Sequence, residues 1–561
     1  MTGVDWTIIG LYLAAMIGLA VYLGRSQTSE EDYYVGGRNL PWWSVGISTM
    51  ATQAGLISFV SIPAFVALAE GGGFSWLQYE LALPLAMIAV MIVLIPFFRK
   101  LELVSVYEYL EGRFSTSVRL TISAIFLLAR GGATGITIFT AALVLRECLP
   151  LDDVLIAWLG EGADERVRGI FGFGLGMLAI ILVVGVVTII YDTIGGMAGV
   201  VYSDVIQMGV LVVGIGLCIY YASDIAGGLG EALGSFPDDR WRAIEPSLGF
   251  SGEPMPFWAF LIGGFFLYAS YYGADQSQTQ RELSAPSLRD TKRALVVNAV
   301  GRFPLMALYA LMGVVVGAAL VNLPELQGHV QARWDETGSP DSLVPLFIVH
   351  ELPVGVRAVI LAAMLAAAMS SLDSALNSLS ASTVRDFLAR GRTLTAKQAL
   401  RLSKLTTIAW GVVIVVFGLF VNRLGGSTVI EMINRLGSLF YGPILAAFVV
   451  GVLSQRAVAS GVIIGVLGGV LTNLAIGIFA PDVHWMWWNL TGFAATYSIA
   501  LIASGFSPPP SREQVERYTL TASGMLGEER QWLPTYGILL GYFAIMLILL
   551  GSLYALASRF G

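Results

Sequence analysis

Residues 366–380 read Ala-Ala-Ala-Met-Ser-Ser-Leu-Asp-Ser-Ala-Leu-Asn-Ser-Leu-Ser inside an otherwise apolar stretch. At helical spacing Ser370, Asp373, Ser374, Asn377 and Ser378 share one face. Hydroxyl and carboxylate oxygens are ligands for a hard cation. The competing reading is a row of serines bonding back to their own helix carbonyls. Asp373 counts against it, because a carboxylate in such a run needs a partner. A second carboxylate, Asp204, lies in Val201-Tyr202-Ser203-Asp204-Val205, again between apolar neighbours. Intramembrane charges cost a few kcal/mol each unless they face a cavity or a partner. Arg130, Arg302 and Arg435 also fall inside apolar runs, so structural arginine–carboxylate pairing stands beside cation binding as an explanation.

Two other stretches are interrupted. Residues 42–58, Trp-Trp-Ser-Val-Gly-Ile-Ser-Thr-Met-Ala-Thr-Gln-Ala-Gly-Leu-Ile-Ser, put small and polar side chains at mid-run, with Gly55 and then Pro63. A helix that unwinds there frees backbone carbonyls for a cation. A packing stripe of small residues reads the same way. Residues 267–281, Leu-Tyr-Ala-Ser-Tyr-Tyr-Gly-Ala-Asp-Gln-Ser-Gln-Thr-Gln-Arg, are likewise glycine-interrupted and polar at one end. The two interruptions fall in the second and seventh apolar runs, five apart. Paired broken helices at corresponding places in two five-helix halves point to an inverted-repeat transport core.

The elements that carry these residues are membrane spans. The chain of 561 residues is only 13% charged, against roughly 25% in soluble domains, and its mean hydropathy is +0.75. Most apolar runs reach about 20 residues, enough for a hydrocarbon core of roughly 30 Å. About 14 spans are expected in one all-α membrane domain, 1–561. It divides into a peripheral helix at 6–24, a first repeat at 42–222, a second at 256–455 and peripheral helices at 458–558. Lys and Arg gather on alternate loops, among them Arg99, Lys100, Arg281, Lys292, Arg385 and Arg390, while Asp152, Asp153, Glu161 and Asp238 mark the other side. The positive-inside rule then puts both termini outside. The run from Trp6 to Leu23 is expected to be a retained helix. Short helices are expected in the loops 223–255 and 322–352, and a polar cytoplasmic linker at 506–535. Cys148 and Cys218 form no motif, though one disulfide stays open. Three histidines near outer loops and no Gly-rich phosphate cradle give no enzymatic or nucleic-acid chemistry. The expected partners are a small solute, Na+ and lipid, with no organic cofactor and no obligate protein partner. Short loops suit a bacterial inner membrane.

Several stretches, in order along about 450 residues, resemble the sodium/solute symporter family. They are Asn39-Leu40-Pro41-Trp42-Trp43, Tyr191–Met197 with Ser203–Gln207, Tyr272–Gln276 with Gln280-Arg281, Met369–Ser378, Leu436–Pro443 and Trp485–Gly492. The Gly195-Gly196 pair with Asp204-x-x-Gln207 and the serine run is the specific part. The resemblance implies a LeuT-type 5+5 inverted-repeat core with two discontinuous helices. It implies a main sodium site from the carbonyls of Ala51, Ala54 and Ala367 and the hydroxyls of Ser370 and Ser371. A second site, present in some members, maps onto Asp204, Asp373 and Ser374, where an Asp replaces a hydroxyl.

The same resemblance puts solute between the two broken helices, with Gln53, Ser58, Glu80, Arg130, Tyr268, Tyr271 and Arg302 as contacts. Tyr271 falls at an aromatic inner gate and Arg130 near a carboxylate-binding arginine of a sialic-acid branch. An arginine fork suits a carboxylate, so the reading leans to an anionic or acid-sugar solute over a neutral sugar or polyol. Proton coupling and a transporter-like sensor are the further alternatives.

Overall fold

The computed structural model describes residues 1–149, 151–424, 429–520 and 525–557. Side chains at 424, 429–436, 525–528 and 556–557 lie outside that description, Arg435 and Leu436 among them. Every regular element among the described residues is helical.

The first helix, α1, spans Gly3–Gly24. The expected break in the second run is present. α2 (Trp42–Ala51) and α3 (Leu56–Ala67) meet at 57° across Thr52–Gly55. A 3-10 turn, Phe74–Leu81, leads into α4 (Ala82–Val93), and α5 spans Thr116–Cys148. α6 runs without a loop from Leu175 to Ile225. The seventh run is broken too: α7 (Gly264–Gly273) ends at Ala274, and the Asp275 carboxylate caps α8 (Gln276–Glu282) by accepting from the Ser277 N–H at 2.8 Å. Then follow α9 (Leu288–Val321), α10 (Val356–Ser382), α11 (Ala396–Leu424), α12 (Val429–Leu453), α13 (Ala459–Phe479), α14 (Trp487–Gly505) and α15 (Leu533–Ala557).

Nine helices among the described residues are long and apolar enough to cross a bilayer, or ten with the bent α2–α3 pair as one. The shortfall against fourteen has local causes. α6 holds the two expected runs, 169–190 and 197–222, as two helical parts joined directly at a kink. The two run into one another at Gly196, which has φ 54° and ψ −157°. A Cβ there would meet the Tyr33 carbonyl at 2.8 Å. The seventh run is shortened by its break, Ala259–Gly273 being apolar but short.

Burial separates core from periphery. The apolar window of α10 is 89% buried, those of α1 and α15 17% each. A helix hydrophobic all round and exposed faces lipid, whereas α10 is enclosed. It packs against α6, and α9 packs against α2, α3 and α6. The loop helices expected at 223–255 and 322–352 are Leu229–Gly234, Pro324–Thr337 and Leu343–Glu351. Cys148 and Cys218 are buried free thiols. Two cations assigned from sequence to a loop are not there: Arg281 and Lys292 are fully buried. Arg281 is drawn in by a carboxylate described below, and Lys292 by Glu529 at 2.6 Å.

Single cysteines at 158, 393 and 515 test the topology. A membrane-impermeant maleimide applied outside should label position 158 and spare 393 and 515. Labelling of 515 from outside would remove the even span count.

Candidate functional site

The break in the second run faces α10. Gly55 permits the approach: a Cβ there would lie 2.6 Å from Ser371 Oγ and 3.7 Å from the Ala367 carbonyl. Ser371 Oγ donates to the Ala367 carbonyl at 3.3 Å and lies 3.5 Å from the Thr52 carbonyl. The Ala51 carbonyl accepts from the Ala54 N–H at 3.0 Å, and the Ala54 carbonyl accepts from the Tyr309 hydroxyl at 3.3 Å. Thr52 and Gly55 thus meet Ala367 and Ser371 at a seam between the unwound segment and α10, whereas the Ala51 carbonyl is used locally and the Ala54 carbonyl turns to α9. Thr52, absent from the sequence-derived set, supplies the unwound segment's carbonyl at Ser371, 3.5 Å from its Oγ. Only the three-dimensional path of an unwound segment decides which of its carbonyls points to the neighbour.

Ser370, one residue earlier, turns to the other side of the seam and donates to Asp204. Ser48 of α2 donates to the second oxygen of Asp204 at 2.5 Å. Arg281 Nη1 is 3.7 Å from the same oxygen, with both side chains fully buried, and it also donates to the Ser48 carbonyl at 3.0 Å and to Thr52 Oγ1. Asp373 accepts from the Tyr191 hydroxyl through one oxygen, and its Oδ1 has no hydrogen-bond partner. Ser374 Oγ bonds back to the Ser370 carbonyl at 3.2 Å, the self-satisfying pattern weighed above. Asp192, one residue after Tyr191, is fully buried and neither of its oxygens meets a donor at hydrogen-bond geometry. Three carboxylates, Asp192, Asp204 and Asp373, therefore share one buried region with Arg281. Buried charge at that density calls for further positive charge or for protons. Arg281, Ser48, Tyr191 and Asp192 were missed as site residues. Arg281 was signalled by the polar run that it ends, Ser48 by the interrupted stretch 42–58, and Tyr191 and Asp192 by the stretch Tyr191–Met197.

The organic contacts fall into two groups. In the first, Arg302 Nε pairs with Glu80 Oε2 at 2.7 Å, and the Tyr268 hydroxyl donates to Glu80 Oε1 at 3.4 Å. The Arg302 guanidinium also lies over the Tyr268 ring, 5.2 Å from its centroid. Gln53 Oε1 accepts from the Tyr272 hydroxyl at 2.9 Å, while Ser58 Oγ donates to the Gln53 carbonyl at 3.2 Å. The second group lies further along the seventh run. Arg130 Nη1 is 3.9 Å from Asp275 Oδ2, and its guanidinium is 5.8 Å from the Tyr271 ring centroid. Both charged side chains line a small cavity of about 20 Å³ with Ser270, Tyr107 and Tyr441. Tyr271 stands between the groups, edge-on to Tyr272 at 5.4 Å, its hydroxyl accepting from Gln278 at 2.8 Å.

Two discontinuous helices against a buried, hydroxyl- and carboxylate-rich helix, beside a largely apolar cavity that holds an arginine and an aspartate, define a solute transporter. The chain belongs to the sodium:solute symporter family, whose model matches residues 33–160 and 170–469. It is accordingly a multi-pass, sodium-coupled symporter and not an enzyme. It is 29% identical to the sodium/sialic acid symporter SiaT of Proteus mirabilis, over 90% of this chain and 95% of that one. It is 31% identical to the sodium/sialic acid symporter NanT of Aliivibrio fischeri, over 86% and 89%. The fold superposes on the substrate-bound, outward-open structure of a Na+-coupled sialic acid symporter with a TM-score of 0.76, at 26% identity, covering 91% of this chain and 99% of that one.

Arg281→Met leaves Asp204 buried without its ion-pair partner and should destabilise the protein by about 3 kcal/mol or more. The double variant Arg281→Met/Asp204→Asn should recover most of that loss. Heat resistance of the detergent-solubilised protein, read as the monodisperse fraction on size exclusion, separates the two. Equal heat resistance of wild type and Arg281→Met would show the pair to be inconsequential.

Proposed function

We propose that this chain imports an acid sugar of the sialic-acid class with sodium, by alternating access, across a bacterial inner membrane with both termini outside. The observation that carries the acid-sugar reading is Arg130. Its guanidinium faces the cavity with one distant counter-charge, and its Nε has no hydrogen-bond partner. A planar fork with free donors matches a carboxylate. The sialic-acid symporters to which the chain is similar support the same reading.

In this mechanism a sodium ion takes the carbonyls of Ala51, Ala54 and Ala367 and the hydroxyl of Ser371, while Ser370, expected beside it, is held by Asp204 on the other side of α10. Tying the unwound segment to α10 favours one conformation of the core, and that conformation completes the solute site. Coupling follows because each ligand binds one state better than the other. A second sodium belongs at Asp204, Asp373 and Ser374, where the unpartnered Asp373 oxygen and the surplus of buried carboxylates favour a cation. Gln53, Ser58, Glu80, Tyr268 and Arg302 contact the polyhydroxyl part of the solute, and Tyr271 separates it from the Arg130 cavity. The halves 42–222 and 256–455 act as the two repeats. Each net positive charge moved inward gains roughly 2.3 kcal/mol per 100 mV.

One observation favours a neutral sugar or polyol instead. Glu80 closes on Arg302 at 2.7 Å, and the groups around them, Gln53, Tyr272 and Asn298, are uncharged hydrogen-bonding side chains.

Charge movement in proteoliposomes decides between the two. Under an inward sodium gradient a sialic acid should give an inward current, and neutral sugars and polyols none. Current with a neutral sugar alone would make Arg130 a structural residue. Ser371→Ala should lower apparent sodium affinity about tenfold or more without lowering the amount of folded protein. Unchanged sodium dependence would remove Ser371 from the site.

A further inference from the structure

Arg130, half-buried, and Arg302, buried, each have a carboxylate nearby, yet their pairs differ. Arg302 and Glu80 meet at 2.7 Å, the spacing of a charge-assisted hydrogen bond. Arg130 and Asp275 stand 3.9 Å apart, near enough for Coulomb attraction but too far for a hydrogen bond. The cause lies on the Asp275 side. Its Oδ1 accepts from the Ser277 N–H at 2.8 Å and from Ser277 Oγ at 2.6 Å, holding the carboxylate as the N-cap of α8. Turning fully onto Arg130 would cost that cap. The guanidinium is left partly neutralised, with its Nε unbonded, on the wall of a cavity that Asp275 also lines.

We propose that Asp275 is a built-in rival of the substrate carboxylate for Arg130, and so sets how tightly, and for how long, an acid solute is held. This rests on the acid-sugar reading above. An incoming carboxylate gains the donors that Asp275 cannot reach, but it enters beside a fixed negative charge of like sign. That repulsion weakens acid binding and leaves a neutral solute untouched. Asp275 sits at the break between α7 and α8, so any change in the angle of the break moves the rival charge relative to Arg130. Release of the acid is thereby linked to the geometry of the discontinuous helix. Asp275 acts through Arg130 and is a positioning residue.

The test compares a sialic acid with its uncharged methyl ester, in sodium-driven uptake by proteoliposomes, for the wild type, Asp275→Asn, Asp275→Glu and Asp275→Ala. Asparagine caps a helix as well as aspartate does, so Asp275→Asn removes the charge and keeps the cap. Its KM for the acid should fall about tenfold while its KM for the ester stays within about twofold, and its maximal rate with the acid should fall as release slows. Asp275→Glu keeps the charge and should hold the acid-to-ester KM ratio at or above that of the wild type. A cap defect alone would change Asp275→Ala for both solutes equally and leave Asp275→Asn like the wild type, which would overturn the proposal. So would an unchanged acid-to-ester ratio in Asp275→Asn with normal wild-type uptake of the acid. Absence of sodium-dependent acid uptake by the wild type would overturn the functional reading, and the rivalry with it.

Discussion

The Asp204 carboxylate is the point at which four helices meet. It belongs to α6, accepts from Ser48 of α2 and Ser370 of α10, and pairs with Arg281 of α8. A fully buried carboxylate holds its position only while its oxygens are satisfied. Each of those four helices therefore constrains the others. Two of them, α2 and α8, are halves of the two broken spans, so the interruptions are pinned to one another through a single charge. Ser371 and Ala367 lie on the next residues of α10 and inherit their position from this junction, and with them the seam against Gly55.

The site consequently has a polarity that no one helix carries. On one side of α10 stand neutral oxygens, hydroxyls and backbone carbonyls, suited to an alkali cation. On the other stand Asp192, Asp204 and Asp373 with a single guanidinium among them. Ser370 and Ser371 are adjacent in sequence but face opposite sides, because successive helical residues point about 100° apart. An ion bound on the neutral side stays within the electrostatic reach of the acidic side, since a low-dielectric interior screens charge poorly.

Much of this was legible in the sequence. The two interruptions, the serine run and the buried arginines announce themselves because polar residues in apolar runs are costly and rare. Gly55 and Ala274-Asp275 fall where the breaks were expected. Arg281 was misplaced because a cation at the end of a span reads as a loop residue. Only tertiary structure shows that Asp204, 77 positions earlier in the chain, pulls it inward. Ser48, Thr52 and Tyr191 were passed over for the same reason: each looks like a filler of a small-residue or aromatic helix until its partner is known. The count of spans was blurred where the backbone runs on through Gly196, since a hydropathy pattern marks apolar length and not the path of the chain.

α10 is enclosed on nearly its whole circumference, and alanine and serine make up most of its central turns, with Met364, Leu365, Met369 and Leu372 as the larger side chains between them. Bulky side chains interlock as ridges in grooves and fix one register between helices, whereas small ones let backbones approach closely with little to interlock. α10 is built as a smooth shaft in a sleeve. Neighbouring helices can slide or tilt along it by small steps without unmeshing teeth, and what holds them at either end of the stroke is the polar latch, not the fit of the walls.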